Sequence, residues 1–389
     1  MDSDKPTQTC RRCVMDSSAE EITFDNDDFC SFCVEFIERN KWVLESNEAL
    51  RDQKLKNFIT EVKKAGQRKP YDCIVGVSGG VDSSWVLVNA VRHGLRPLAV
   101  HMDNGWNSEL AQNNIANLIQ KLDIDLYTHV INWDLYRELM QAFFDADVID
   151  VELLYDNAML CVNYKLAEKY KIKYILSGSN QATEGMNMPK NWNWIKFDKR
   201  NIKNIAKQFS EANIFAYPAI GTLDLIWHKL IGRRHWCSFL DYTDFNKQDA
   251  IDSLVKEFAY KPYPYKHYES VFTRFYQGYI LPRKFGVDKR KLHFSTLIIM
   301  GQMSREEALE SLDELPYASE KELEEDKRYF IKKMGWTEAQ LVDYISRAEV
   351  SHSSYPSEKK MWEFFLKMYK LFFIEIAMII KFNMQLHKI

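Results

Sequence analysis

Three groups of residues in this 389-residue sequence have types and spacings suited to chemistry. The first is Ser78-Gly79-Gly80-Val81-Asp82-Ser83-Ser84. Adjacent glycines let backbone N–H groups approach an anion closely, and a helix starting there turns its positive end to the same point. Ser78, Ser83 and Ser84 add hydroxyl donors, and Asp82 can hold a magnesium ion. This is a phosphate cradle without the lysine of a Walker A loop.

The second group is Cys10-Arg11-Arg12-Cys13 and Cys30-Ser31-Phe32-Cys33, with sixteen residues between them. Two Cys-x-x-Cys knuckles at this separation suit a tetrahedral four-cysteine zinc site on a small hairpin, with Ile22 to Phe24 as one strand. A redox pair or two free thiol pairs are the alternatives. The third group runs from His267 to Ser295, where aromatic and polar residues alternate and Lys284, Lys289, Arg290, Lys291 and His293 cluster. Arginine grips phosphate or carboxylate in a fork, and tyrosines cover sugar faces, so an anionic, ring-containing ligand fits. A solvated basic face is the alternative.

These groups need elements to hold them. Ile74, Val75 and Val77 read as a buried parallel strand before the glycine turn, and a helix follows from Asp82 to about His93. The alternation continues with a strand at 96–102, a helix at 108–122 and a strand at 125–130. Helices at 133–146 and 157–170 and a strand at 174–176 complete it. Such a pattern predicts an α/β doubly wound parallel sheet. Ligands in these sheets sit beyond the carboxyl ends of strands. That brings Asp103 and Asn104 after the second strand, and Gly178, Asn180 and Glu184 after the fourth, toward the glycine turn. A plain Asn-Gly turn and a capped exposed turn are the alternatives there. Residues 34–68 read as one or two helices and 247–258 as another, while the rest of 193–260 is weakly patterned.

Net charge is −3, so no global basic field points to nucleic acid. Seven cysteines in a chain of this length argue against a disulfide scaffold and for a reducing cytoplasm. Residues 361–385 are apolar but interrupted by Lys367, Lys370, Glu375 and Lys381. They read as a helix docked on the core or a partner, or as an interfacial membrane helix, not as a span.

The Ser78 to Ser84 string resembles the PP-loop of the N-type ATP pyrophosphatases, which include GMP synthetase, NAD synthetase and tRNA thiolases. Together with the four-cysteine ribbon and the segment from Lys266 through Ala308, it resembles the N-acetyl sugar amidotransferase family. The resemblance implies a zinc ribbon at 1–45 and a PP-loop domain at 46–215. It further implies a sugar-nucleotide region at 216–315 and a helical part at 316–389. It implies ATP, Mg2+ and Zn2+ as cofactors, and conversion of an acetamido group on a nucleotide-linked sugar into an acetamidine, for lipopolysaccharide O-antigen or nonulosonic acids. Ser78, Asp82, Lys289 and Arg290 would be catalytic. Ser78, Gly79, Gly80, Asp82, Ser83, Ser84, Asp103, Gly178, Asn180 and Glu184 would hold the nucleotide. Arg274, Tyr276, Gln277, Lys284, Lys289, Arg290 and His293 would hold the sugar, and Cys10, Cys13, Cys30 and Cys33 the zinc. No cysteine follows Met1 and none sits in a nucleophile elbow. Ammonia is therefore expected from a separate HisH-like glutaminase with a HisF-like subunit. A tRNA thiolase with a zinc ribbon, or a ribbon-bearing scaffold without catalysis, are the other readings.

Overall fold

The computed structural model describes residues 8–41, 48–211, 213–263 and 268–370. Its centre is a sheet of five parallel strands. They are β1 (Cys73–Gly76), β2 (Pro97–Asp103), β3 (Leu126–Val130), β4 (Tyr174–Ser177) and β5 (His235–Ser238). Their spatial order is β3-β2-β1-β4-β5. The chain runs outward from β1 to β3, then returns to the other side of β1. The reversal opens a crevice at the carboxyl ends of β1 and β4, where such sheets take ligands.

Side chains of β1 alternate between two cores. Ile74 joins Leu98, Val100 and Ile175 on one face, and Val75 joins Cys73, Ala99 and Leu176 on the other. Helices cover both faces, so the strand reads as a continuous apolar run. Val81–Arg92 and Lys247–Phe258 pack on the second core, and Trp133–Asp145 and Leu153–Lys169 on the first. The doubly wound parallel sheet of the sequence reading is thus the observed one. Its fifth strand lies beyond residue 215, so the expected boundary there cuts the sheet short.

The segment expected to bind sugar contributes much of the first core. Phe272, Phe275 and Tyr276 are buried among Phe144, Trp106 and Phe330. The helix Val271–Phe275 widens into a π-helical stretch, Tyr276–Phe285, that contains Pro282. Helices Arg290–Ile299, Arg305–Asp313, Glu320–Met334 and Glu338–Ser346 follow.

The four ribbon cysteines are fully buried, and their sulfurs all lie within 4.8 Å of one another. The expected hairpin is reduced to single antiparallel bridges, Thr9 with Asp16 and Phe24 with Cys30, before the helix Ser31–Arg39. Of the apolar C-terminal stretch, residues 361–370 are helical, while 371–385 lie outside the described residues. Among the described residues no helix is long and apolar enough to cross a membrane.

Candidate active site

The glycine turn leaves β1 in a conformation only glycine takes easily. Gly79 has φ +86°, and a Cβ there would lie 2.7 Å from the Ala111 carbonyl oxygen. From behind, the Gly79 carbonyl accepts hydrogen bonds from the Tyr260 hydroxyl at 3.0 Å and the Tyr263 hydroxyl at 3.1 Å. The Ser83 hydroxyl accepts from the Ser78 N–H at 3.2 Å, and the Ser78 hydroxyl accepts from the Gly80 N–H at 3.3 Å. Gly80 caps the helix Val81–Arg92 without a side-chain hydrogen bond, so no capping side chain takes up its first N–H groups. An anion placed there meets those donors and the helix's positive end.

The β4 turn closes against this loop. A Cβ on Gly178 would lie 2.8 Å from the Ser83 nitrogen and 3.0 Å from the Asp82 carbonyl carbon. Asn180 caps the short helix Gln181–Glu184 by accepting from the Thr183 N–H at 2.8 Å, and donates to the Gly178 carbonyl at 3.0 Å.

Two cavities meet at the loop. One of about 670 Å³ is walled by Asn104, Asn107, Glu152, Asp156, Lys196 and Lys289, with Asn180, Gln277 and His293. The other, of about 820 Å³, is walled by Gly80, Asp82, Ser83, Gly178, Lys247 and Gln302. Ser78, Ser179, Glu184 and Glu269 line both. Glu269 is the junction. A Cβ on Gly80 would lie 3.5 Å from a Glu269 carboxylate oxygen. The Glu269 carbonyl accepts from the Ser108 N–H at 2.9 Å, and the Val271 N–H donates to the Trp106 carbonyl at 2.9 Å. The third sequence group is thereby bridged to the loop after β2. His101 on β2 reinforces this corner: Nδ1 donates to the Val77 carbonyl at 2.9 Å, leaving Nε2 to accept from the Asn107 amide at 3.1 Å.

The floor of the first cavity is a set of paired charges. Lys289 meets Glu152 at 2.8 Å, and the Gln277 amide donates to both Glu152 oxygens at 3.0 and 2.9 Å. Lys196 meets Asp150 at 2.7 Å and Asp156 at 2.9 Å. Burial pushes the Glu152 carboxyl up, but the Lys289 ammonium outweighs it, and the net direction is down. Asp150 is likewise lowered: burial opposes ionisation, and Lys196, Lys289 and His352 together overcome it. Asp156 goes the other way, because burial exceeds the help it gets from Lys196. The site therefore pairs a firmly ionised carboxylate with one that holds its proton more readily.

Among the described residues, the four cysteines form the one group of three or more His, Cys, Asp or Glu side chains close enough to share an ion. Backbone N–H groups of Cys13, Cys30 and Cys33 donate to ribbon sulfurs at 3.2 to 3.5 Å, hydrogen bonds that support bound thiolates. The donor set fits a tetrahedral metal. Asp82, Glu184 and Glu269 line the second cavity without converging on one point, so a magnesium ion there would rely on phosphate oxygens for much of its shell.

Several residues expected to bind ligand are spent inside the protein. Arg274 forms a fork with Asp326 at 2.5 and 2.6 Å. The Tyr276 hydroxyl donates to the Ile149 carbonyl at 2.6 Å in the core. Lys284 is sealed against Asp147 and the carbonyls of Tyr344 and Arg347. Arg290 pairs with Asp288 and donates to the carbonyls of Ser311, Leu312 and Glu314. Asp103 braces its own turn through the Gly105 N–H at 2.8 Å, and Ser84 is buried under the loop. Gln277, Lys289 and His293 do reach the first cavity. Sequence reasoning missed Glu152, Asp156, Lys196, Glu269 and Asn107. Glu152 and Asp156 stand four apart at a helix start, a spacing that puts two acids on one face; nothing local marks the others.

A family model described as NAD synthase matches residues 52–210, and one described as the C-terminal domain of WbpG-like LPS biosynthesis proteins matches residues 269–369. The chain thus carries an NAD-synthase-like PP-loop part and a WbpG-like C-terminal part. It is an enzyme of the NAD-synthetase-like PP-loop class, an ATP-using class. The WbpG-like match opens on Glu269, which lines both cavities beside the phosphate loop. Among solved structures, the NH3-dependent NAD synthetase of Campylobacter jejuni is 16% identical with a TM-score of 0.29, covering 42% of this chain and 73% of that one. The NMN synthetase of Francisella tularensis is also 16% identical with a TM-score of 0.29, covering 55% and 87%. No curated protein matches.

Proposed function

We propose that this PP-loop protein is an N-acetyl sugar amidotransferase. It uses ATP to turn the acetamido group of a nucleotide-linked sugar into an acetamidine, for O-antigen or nonulosonic acid synthesis. The observation that carries this reading is the Glu269 junction, which joins the WbpG-like segment to the phosphate loop across two connected cavities. One cavity takes the nucleotide and the other the sugar, with the loop between them.

An amide carbonyl is a weak electrophile, and its oxygen is a poor leaving group. Attack of that oxygen on the α-phosphorus of ATP forms an O-adenylyl imidate and releases pyrophosphate. Ammonia then adds to the imidate carbon, a proton is lost, and AMP leaves with the former amide oxygen. The hydroxyls of Ser78 and Ser83 and the N–H groups of the helix start hold the departing pyrophosphate. Magnesium, when bound with Asp82 and Glu184 nearby, offsets charge on the phosphates. Lys289 and Gln277 fix Glu152 as an ionised acceptor, and Asp156, whose carboxyl holds a proton more readily, takes the proton released after ammonia adds. The ribbon takes zinc. It holds the helix Arg290–Ile299 through Lys291 to Asp16 and Val14 N–H to Ser295 at 3.2 Å, and so sets the wall carrying His293.

Ammonia would come from a separate HisH-like glutaminase with a HisF-like subunit. The three cysteines outside the ribbon line neither cavity, and burial raises all three, Cys237 to about 11. The same fact speaks against a thiolase, which needs a reactive sulfur in its site. Mass spectrometry of nucleotide-linked N-acetyl sugars incubated with ATP, magnesium and ammonium tests the reading. The expected product is lighter by the difference between oxygen and NH; sugars that return unchanged while tRNA becomes modified would overturn it.

A further inference from the structure

Away from both cavities the chain exposes an apolar face. Thr222–Ile226 and Trp227–Ile231 form one continuous helix. Leu223, Trp227, Leu230 and Ile231 recur on it at i, i+4, i+7 and i+8, the period of one helix face. All four are more than half exposed, and Phe215, seven residues before the helix, is 86% exposed. Other helices of this chain turn such stripes into the core. A run of large apolar side chains left outside a fold marks a binding surface.

The charge around it says what binds. Residues 199–234 hold seven Lys and Arg against two Asp and Glu, in a chain whose net charge is −3, with Lys199 paired to Asp224 and Arg234 to Glu168. The Lys203 ammonium lies 5.3 Å from the Phe215 ring, and Lys229 and Arg233 are exposed beside Leu230 and Ile231. A second helix, 359–370, starts against this one: Glu358 accepts from the Thr222 N–H. It exposes Phe364, Met368 and Tyr369 and adds four lysines against one glutamate. Protein interfaces are poor in lysine, whereas Trp, Leu and Ile framed by Lys and Arg match the headgroup layer of an anionic bilayer. Among the described residues no helix is long and apolar enough to span a bilayer.

We propose that the face formed by Leu223, Trp227, Leu230 and Ile231 docks this protein peripherally on an anionic lipid surface. Its apolar side chains sit at the headgroup boundary and its cations lie against lipid phosphates. This holds whatever reaction the cavities perform.

Flotation of the full chain with phosphatidylglycerol vesicles, against phosphatidylcholine vesicles, tests the proposal. The protein floats with the anionic vesicles, and the bound fraction falls as salt is raised. W227D/L230D lowers partitioning by roughly tenfold or more without moving the thermal melt, and K229E/R233E lowers it on anionic vesicles. Absence of flotation, flotation undiminished in both variants, or a W227D/L230D effect confined to self-association in sedimentation would each overturn it.

Discussion

Gly178→Ala probes the contact between the phosphate loop and the β4 turn. The new Cβ would lie 2.8 Å from the Ser83 nitrogen, 3.0 Å from the Asp82 carbonyl carbon and 3.2 Å from the Asp82 Cβ. Two of these atoms are backbone and cannot rotate away. To restore ordinary contact the two loops must part by about half an ångström. A misplacement of about 1 Å in a reacting geometry costs on the order of a hundredfold in rate, so this shift costs about tenfold in kcat. The overpacking itself costs about 1–3 kcal/mol of stability. Gly76→Ala is the matched control at the end of β1, where a Cβ meets nothing within 4 Å. Pyrophosphate release at saturating ATP, with a thermal melt of each variant, reads both effects. Full activity in Gly178→Ala, or an equal loss in Gly76→Ala, would refute the view that this contact sets the loop.

Three further outcomes follow from the same geometry. Lys289→Met leaves the part-buried Glu152 carboxylate with Gln277 but without its cation and costs about 1–3 kcal/mol, while Lys289→Met with Glu152→Gln recovers most of that in urea melts. Cys13→Ser, or chelation, removes a ligand from the ribbon. Metal content falls, and activity falls with it, because Arg305 anchors on the Cys10 and Cys13 carbonyls and Lys291 on Asp16. His352 is buried, accepts from the Asp150 N–H at 3.2 Å and donates to Asn201 at 2.7 Å; burial lowers it to about 4. The unfolded chain then binds more protons between pH 6.5 and 4, so stability falls as pH drops through that window, by on the order of 3 kcal/mol from this group. Urea midpoints at pH 7 and pH 5 measure the slope, and His352→Gln flattens it.

The phosphate loop, the β4 turn and the four cysteines were readable because their chemistry is local. A glycine pair between strand and helix, or two cysteines three apart, fixes its own geometry within a few residues. The sheet was readable for a related reason, since Ile74, Val75 and their neighbours must be apolar on both faces. The basic-aromatic segment misled in one half and served in the other. An arginine looks the same in sequence whether it faces a sugar phosphate or a carboxylate: Arg274 finds Asp326, fifty-two residues on, and Lys284 finds Asp147, far behind it. Lys289 escapes this fate only because its partner, Glu152, stands in the cavity wall. Glu269 and Asn107 are neighbours by a single backbone bridge between residues 107 and 270, a pairing with no trace in either local sequence.

The central claim is that the phosphate loop and the WbpG-like segment form one reaction centre, in which the acetamido oxygen of a sugar takes the adenylyl group. Transfer of isotopically labelled oxygen tests it most directly. A nucleotide-linked N-acetyl sugar carrying the label in its acetyl carbonyl is incubated with ATP, magnesium and ammonium, and the released AMP is analysed by mass spectrometry. The label should appear in the AMP phosphate, one atom per amidine formed. Unlabelled AMP beside a labelled, unchanged sugar would contradict the account.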